Sequence, residues 1–438
     1  MNLPMKSLTL CVLAALALMG CGKKDEAPAA GKELVIKIGH AAPLTGPQSH
    51  LGKDNENGAR LAIEEANARG VEIGGTKVKF ELVSEDDQAD PKQGTLVAQK
   101  LVDAKVSGVI GHLNSGTTIP ASRIYFQAGI PEISPSATNP KYTQQGFKTA
   151  FRVMANDVQQ GKVLGEYAVG KLKAQSIAII DDRSAYGQGL ADEFEKAAKA
   201  AGATIVAHEF TNDKANDFAA ILTKVKSKAP DLVFYGGMDS QGGPLAKQLK
   251  GLAMKMPVLM GDGGCTTEFS TLAGDAAEGN YCSLPGVPLD KMPGGPEFKA
   301  RYKAKFNADI QLYGPYVYDA VNVMIDAMKR ANSADPLKYL PVLPKTAFQG
   351  VTSKISFDAK GDLQDGAITL YQSKGGKWEA LETIGGADKT AAVETAKDVS
   401  AKLLEKGAAE AGKLAGDVQS LAHEAAKGAE KAAADIKK

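Results

Sequence analysis

GHLNSGTTIPASRIYFQAGIPEISPSATNP, residues Gly111 to Pro140, holds two small polar clusters. They are Asn114-Ser115-Gly116-Thr117-Thr118 and Ser134-Pro135-Ser136-Ala137-Thr138. Each follows a short apolar run, and a helical stretch separates them. The order is therefore strand, polar turn, helix, strand, polar turn. In an open parallel sheet both turns emerge at the carboxyl ends of the strands, where such sheets bind ligands. Small hydroxyl residues and free backbone N–H groups there suit a carboxylate. No general base stands beside a nucleophile in this stretch, so it reads as a grip.

The same alternation extends outward from about Lys32 to Gly386. Strands are expected over 34–38, 78–83, 108–110, 176–180, 204–210, 232–235 and 258–260. Most are nearly continuous apolar runs, as strands covered on both faces require. Helices are expected over 57–68, 92–102, 118–127, 189–201 and 218–227. In the first, Ala59, Ile63 and Ala66 recur at helical spacing. Strands alternating with helices of this length predict an α/β protein with mainly parallel sheets. One sheet rarely holds this much chain. Two lobes are expected, the first ending near Asn156 and the second starting at Asp157.

The ends differ from the body. Leu8 to Gly20 is apolar, too short to span a membrane, and ends in Leu18-Met19-Gly20-Cys21. That ending resembles a bacterial lipobox, which implies cleavage before Cys21 and lipidation of its sulfur. Residues 1–20 then form a signal peptide and 21–32 a flexible tether. The mature chain is expected in the periplasm, held to the inner or outer membrane by acyl chains alone. Gly22 bears on which membrane holds it, because sorting rules read the residue after the lipidated cysteine.

The tail, 387–438, is dominated by Ala, Lys, Glu and Asp, with no aromatic residue. Leu404, Ala411, Leu414, Val418, Leu421 and Ala425 make a thin heptad stripe. Gly407, Gly412, Gly416 and Gly428 each cost a helix about 1 kcal/mol relative to Ala. A helical or disordered appendage is expected, the sharper reading being a docking helix.

Composition narrows the function. Lys and Arg total 52 and Asp and Glu total 51, leaving no net field to draw nucleic acid. Of four cysteines, Cys11 leaves with the signal and Cys21 would carry lipid. Cys265 and Cys282 remain as an even pair in an oxidising compartment, and a disulfide between them is expected. In the chain-entropy model such a loop is worth roughly 3 kcal/mol; two buried thiols are the alternative. No paired histidines suggest a metal site, and no cofactor is expected. A Gly-x-x-x-x-Gly-Lys phosphate loop and a Gly-x-Ser-x-Gly nucleophile elbow are both absent from the sequence. His112 reads as a structural residue packed behind the ligand loop.

Several further segments carry a family resemblance. They include Pro43-Leu44-Thr45-Gly46-Pro47, Asp86-Asp87 with Asp90-Pro91-Lys92-Gln93, and Gly111-His112-Leu113. Pro120-Ala121-Ser122, the Ser134–Thr138 cluster, Tyr186-Gly187-Gln188-Gly189, Tyr235-Gly236-Gly237 and Gly261-Asp262-Gly263 follow in order. From about Val35 to Leu381 the chain resembles the branched-chain amino-acid-binding proteins of bacterial ABC importers, with the type I periplasmic-binding-protein fold. The resemblance implies two lobes joined by three crossing segments, with the ligand closed between them. Lobe 1 would hold residues 33–156 and 285–363, and lobe 2 residues 157–284 and 364–386.

The resemblance also implies a ligand set. Ser115 with the backbone at Leu113 and Asn114, and Thr138 with the backbone at Ser136 and Ala137, would hold a carboxylate. Asp262 would take the ammonium, with Asp157 as a second candidate. Tyr186 would cover the ligand, and Leu51, Met238 and Tyr313 would line the side-chain pocket. Leu51 and Met238 stand where close relatives carry tyrosines, which favours Leu, Ile or Val, although Met adapts to larger groups. Some relatives carry a disulfide at the positions of Ala89 and Asn114; here both cysteines are absent together. The expected protein is a monomeric solute receptor that feeds an inner-membrane ABC permease, not an enzyme. The rival is a sensor lipoprotein of the same fold for another amino acid or an amide.

Overall fold

The computed structural model describes residues 33–386. The expected signal, tether, lipidated Cys21 and tail lie outside the described residues. The first sheet has six strands: β1 (Leu34–Ala42), β2 (Glu72–Ile73), β3 (Thr76–Asp86), β4 (Gly108–Gly111), β5 (Glu132–Ser134) and β6 (Ala150–Arg152). Their order is β2-β3-β1-β4-β5-β6. All neighbours run parallel except the β2–β3 hairpin.

The second sheet holds β7 (Ser176–Asp181), β8 (Thr204–Phe210), β9 (Leu232–Gly236), β10 (Val258–Met260) and β11 (Tyr281–Pro285). Two short strands, β12 (Phe348–Gln349) and β13 (Lys354–Ile355), pair separately. The hairpin β14 (Ala367–Lys374) and β15 (Lys377–Gly385) then closes one edge. The order is β15-β14-β11-β10-β9-β7-β8, parallel from β11 to β8 and antiparallel at the hairpin. β4, β5, β9 and β10 are buried at every position, which is why their sequences are unbroken apolar or small runs.

Helices cover both sheets. The first half contributes α1 (Ser49–Ala68), α2 (Pro91–Asp103), α3 (Ser115–Ala128) and α4 (Lys141–Gln144). Next come α5 (Asp157–Gly170), α6 (Ala185–Ala200), α7 (Ala219–Ser227), α8 (Asp239–Gly251) and α9 (Thr267–Ala273). The chain then returns to the first sheet with α10 (Gly295–Phe306) and α11 (Gly314–Arg330), followed by α12 (Pro336–Tyr339). α11 packs along α1 so closely that a Cβ on Gly58 would stand 2.4 Å from the carbonyl oxygen of Gly314. The path gives two lobes and three crossings, after β6, after β11 and before β14.

Several helix starts carry a capping side chain. Asp90 accepts from Lys92 and Gln93 at α2, Ser184 from Gly187 at α6, and Thr266 from Phe269 at α9. Asn156 and Gln159 make a reciprocal capping box at α5.

Three helices begin well before the sequence suggests. α3 starts at Ser115 rather than residue 118, so Ser115 to Thr118 form its first turn instead of a polar loop. α1 starts at Ser49 rather than residue 57, because its polar first half is buried by tertiary partners. Asp54, for example, accepts from the N–H groups of Leu312 and Gly314 and from the hydroxyl of Tyr302. α6 starts at Ala185 rather than residue 189, so Tyr186 sits in a helical first turn and not at the tip of a strand.

Candidate functional site

In both sheets the chain leaves the central strand to opposite sides, β1 toward β3 and β4, and β7 toward β8 and β9. Open α/β sheets bind ligands at such switch points, outside the carboxyl ends of the strands. The loops after β1, β4 and β5 meet those after β7, β9 and β10, and the lobes are closed on each other. Tyr313, at the start of α11 in the first lobe, donates its hydroxyl to Asp262 Oδ2 at 2.7 Å. The side-chain amide of Asn139 donates to the carbonyl of Ala185 across the same gap.

The first lobe presents donors. Leu113 is buried, and Asn114 immediately precedes α3 while its amide donates to Gln48 Oε1 at 2.7 Å. The first return bonds of α3 come from Thr117 and Thr118 to the Asn114 carbonyl. The N–H groups of Ser115 and Gly116 precede them, where a helix leaves donors unused. Ser115 is 1% exposed, and its Oγ accepts from the Asn139 N–H at 3.2 Å. Ser136 lies 3.5 Å from the amide of Asn55. The Ala137 N–H is taken by Ser134 Oγ at 3.0 Å. Thr138 is fully buried, and its hydroxyl has no protein partner.

Behind these loops sit two buried supports. Arg152 donates to Asp362 and, through Nη1, to the carbonyls of Ala137 at 2.7 Å and Asn139 at 3.0 Å. The turn is thus held by its carbonyl side. His112 places Nδ1 2.7 Å from Asp87 and Nε2 3.0 Å from the Tyr125 hydroxyl. Both ring nitrogens are committed, and the hydroxyls of Thr118 and Ser134 reach its carbonyl rather than its ring. No base faces a nucleophile there.

The second lobe presents acids. Asp262 opens a short turn after β10 and is 1% exposed. Tyr186 OH and Gln160 Nε2 donate to its Oδ1 at 2.9 and 3.0 Å. Its flanking glycines are required by space: a Cβ on Gly261 would stand 2.7 Å from Tyr186 OH, and one on Gly263 2.7 Å from Met238 Sδ. Cys265 and Cys282 form a disulfide, Cα atoms 5.4 Å apart, which ties the Asp262 turn to β11. Asp157 is the first residue of α5, and its N–H donates to the Thr138 carbonyl at 2.9 Å. Both of its carboxylate oxygens are buried without a hydrogen-bond partner.

Burial pushes Asp157 up to about 8, and the charge of Asp262 adds to the rise, while the nearby Thr138 hydroxyl eases it. Burial raises Asp262 too, against the hydroxyls of Tyr313 and Tyr186 and the amide of Gln160. Two buried carboxyls therefore share one region, and the nearest buried cation, Arg152, is engaged by Asp362. Leu51 is fully buried, and Met238 immediately precedes α8 and sits beside Gly263. Tyr313, expected as pocket wall, has its hydroxyl committed to Asp262.

Sequence reading missed Gln160, Arg152, Asn55 and the pair His50 and Asp239. Two left a signal. Arg152 interrupts the apolar run of β6, and Gln160 follows Asp157 at helical spacing.

Comparison with known proteins agrees with this architecture. The family model described as "Periplasmic binding protein" matches residues 35–377. The Leu/Ile/Val-binding protein homolog 1 of Brucella abortus is 38% identical over 345 residues, 78% of this chain and 90% of that protein. The leucine-, isoleucine-, valine-, threonine-, and alanine-binding protein of Pseudomonas aeruginosa is 34% identical, over 77% of this chain and 89% of its own length. Among solved structures, the branched-chain amino acid transporter substrate binding protein LivJ of Streptococcus pneumoniae, in complex with isoleucine, superposes with a TM-score of 0.72. It is 31% identical and covers 80% of this chain and 99% of its own. The family works outside the cytoplasm as the solute-binding part of transporters. With a family model spanning most of its length, two curated relatives above 30% identity and a shared fold, the chain belongs to the periplasmic binding protein family.

Proposed function

We propose that this chain captures a free α-amino acid, with leucine, isoleucine or valine preferred, and delivers it to an inner-membrane ABC permease. The observation that carries the reading is the opposition of charge preferences across the closed cleft. Donors of the first lobe, at Ser115, Gly116 and Thr138, face two buried acids of the second, Asp157 and Asp262. A zwitterion satisfies both sides at once. Its carboxylate takes the hydroxyl and N–H donors, and its ammonium answers carboxyls that otherwise lie buried beside each other. Leu51 and Met238 then leave an apolar place for the side chain.

Binding starts on the first lobe in the open form. Closure brings up Asp262 and Tyr186, and the ligand shifts the equilibrium by its differential affinity for the closed state. The lipidated Cys21, the monomeric state, the 33–156 plus 285–363 and 157–284 plus 364–386 lobe boundaries, and the tail as an appendage belong to the same proposal. A thermal-shift screen of refolded, ligand-free protein against the common amino acids tests it. Leucine at about 100 times its dissociation constant adds roughly 2.7 kcal/mol. No shift with any amino acid would end the reading.

A further inference from the structure

His50 and Asp239 stand apart from the grip on the amino-acid backbone. His50 is in the first turn of α1, in the first lobe, and Asp239 opens α8 in the second. His50 Nε2 lies 2.8 Å from Asp239 Oδ2. The imidazole is 22% exposed and the carboxylate fully buried, so the pair sits at the rim of the closed cleft. Each residue is the chain neighbour of a pocket residue, Leu51 and Met238 respectively. Asp239 is fixed from within its own lobe, because Thr266 Oγ1 donates to the same Oδ2 at 2.6 Å. Thr266 in turn caps α9 and accepts through its carbonyl from Trp378 Nε1 at 2.8 Å. The imidazole comes from the opposite lobe, so opening the cleft must break this contact and leave the rest intact.

We propose that His50 and Asp239 form an inter-lobe latch over the bound amino acid, set by the protonation of His50. The inference rests on the receptor reading above. Two acids face the imidazole, Asp239 at the start of α8 and Glu268 at the start of α9, and the Pro47 carbonyl adds to them. Burial opposes the charged ring, but the Asp239 hydrogen bond and these charges outweigh it and raise its pKa. In the open form His50 leaves both acids and returns toward its ordinary value. At low pH the ring is charged in both forms, and the attraction belongs to the closed form alone. As pH rises through the raised value the ring becomes neutral and that contribution is lost. The latch therefore holds the amino acid in acid and lets go in base.

The test is the rate of L-leucine release from wild type and His50→Gln, followed by the fluorescence of Trp378, the one tryptophan of the chain. Glutamine keeps an N–H donor and does not titrate, and a ligand-free melt checks its fold. Because the ring is partly exposed, wild type should release leucine about fivefold more slowly than the variant at about pH 5.5, and at a similar rate at about pH 8. His50→Lys, permanently charged, should keep release slow at both pH values. In an Asp239→Asn background the effect of His50→Gln should vanish. A wild-type to variant ratio unchanged with pH, or an effect that survives Asp239→Asn, would overturn the latch. Leucine failing to bind wild type at either pH would instead break the receptor reading, and the latch with it.

Discussion

The two carboxylates at the centre of the cleft, Asp262 and Asp157, are equally buried and differently served. Asp262 has three side-chain donors, from Tyr186, Gln160 and Tyr313, one of them delivered by the opposite lobe. Asp157 has none. The difference teaches how a binding site divides its work. A fully bonded carboxylate is preorganised and holds its place with or without a guest. An unbonded one is held near neutrality by burial and changes state when a cation arrives. Asp262 is thus read as the anchor for the ammonium and Asp157 as the group that responds to it.

Four experiments break or sharpen this contrast. The largest effect is expected at the support behind the donor side. Arg152→Met leaves Asp362 without its cation and the Ala137 and Asn139 carbonyls without their donor, and should cost about 3–5 kcal/mol of stability by denaturant melts. A loss below about 1 kcal/mol would show that the turn holds itself. Next is the anchor. Asp262→Ala should weaken leucine binding about 100-fold or more by calorimetry, since it removes the counter-charge and strands three donors. Affinity equal to wild type would move the anchor elsewhere.

Smaller effects follow. Thr138→Val keeps the shape of the donor side and removes one hydroxyl, and should cost about 1–2 kcal/mol of binding with the ligand-free melt little changed. An unchanged affinity would remove Thr138 from the grip. Asp157→Asn tests the responsive group through pH. The folded-state pKa of Asp157 is raised to about 8, so its neutral form is favoured in the fold. That contribution is complete below about pH 4, the ordinary carboxyl range, and is lost as pH rises toward 8. The variant should therefore melt higher than wild type at pH 8, by about 1–2 °C for each kcal/mol recovered, and close to it at pH 4. Equal melting at both pH values would mean that Asp157 carries no burden in the ligand-free protein.

Much of the fold is readable in the chain because parallel strands buried on both faces leave unbroken apolar runs. The expected strands 204–210 and 258–260 coincide with β8 and β10. The polar cluster after β5 is visible as a turn because it follows such a run, whereas the cluster after β4 turns out to be the first turn of α3 from Ser115 onward. The first half of α1 is not visible. Ser49 to Glu56 shows no apolar period, and it is helical because Asp54 and Asn55 are buried against residues far along the chain. The cross-lobe pairs share this blindness. Gln160 and Asp262 are 102 residues apart, and His50 and Asp239 are 189 apart, so no local pattern announces them. The Cys265–Cys282 bridge was legible by count alone, as the pair left over in the body of the chain.

The central claim is that the cleft holds an amino acid by both of its charges. Calorimetric titration of ligand-free protein with leucine, leucinamide and 4-methylpentanoate tests it most directly. Leucinamide lacks the carboxylate and 4-methylpentanoate lacks the ammonium, while both keep the side chain. Leucine should bind, and each analogue should bind at least about 100-fold more weakly. Either analogue binding within a few-fold of leucine, or leucine giving no binding at all, would contradict the account.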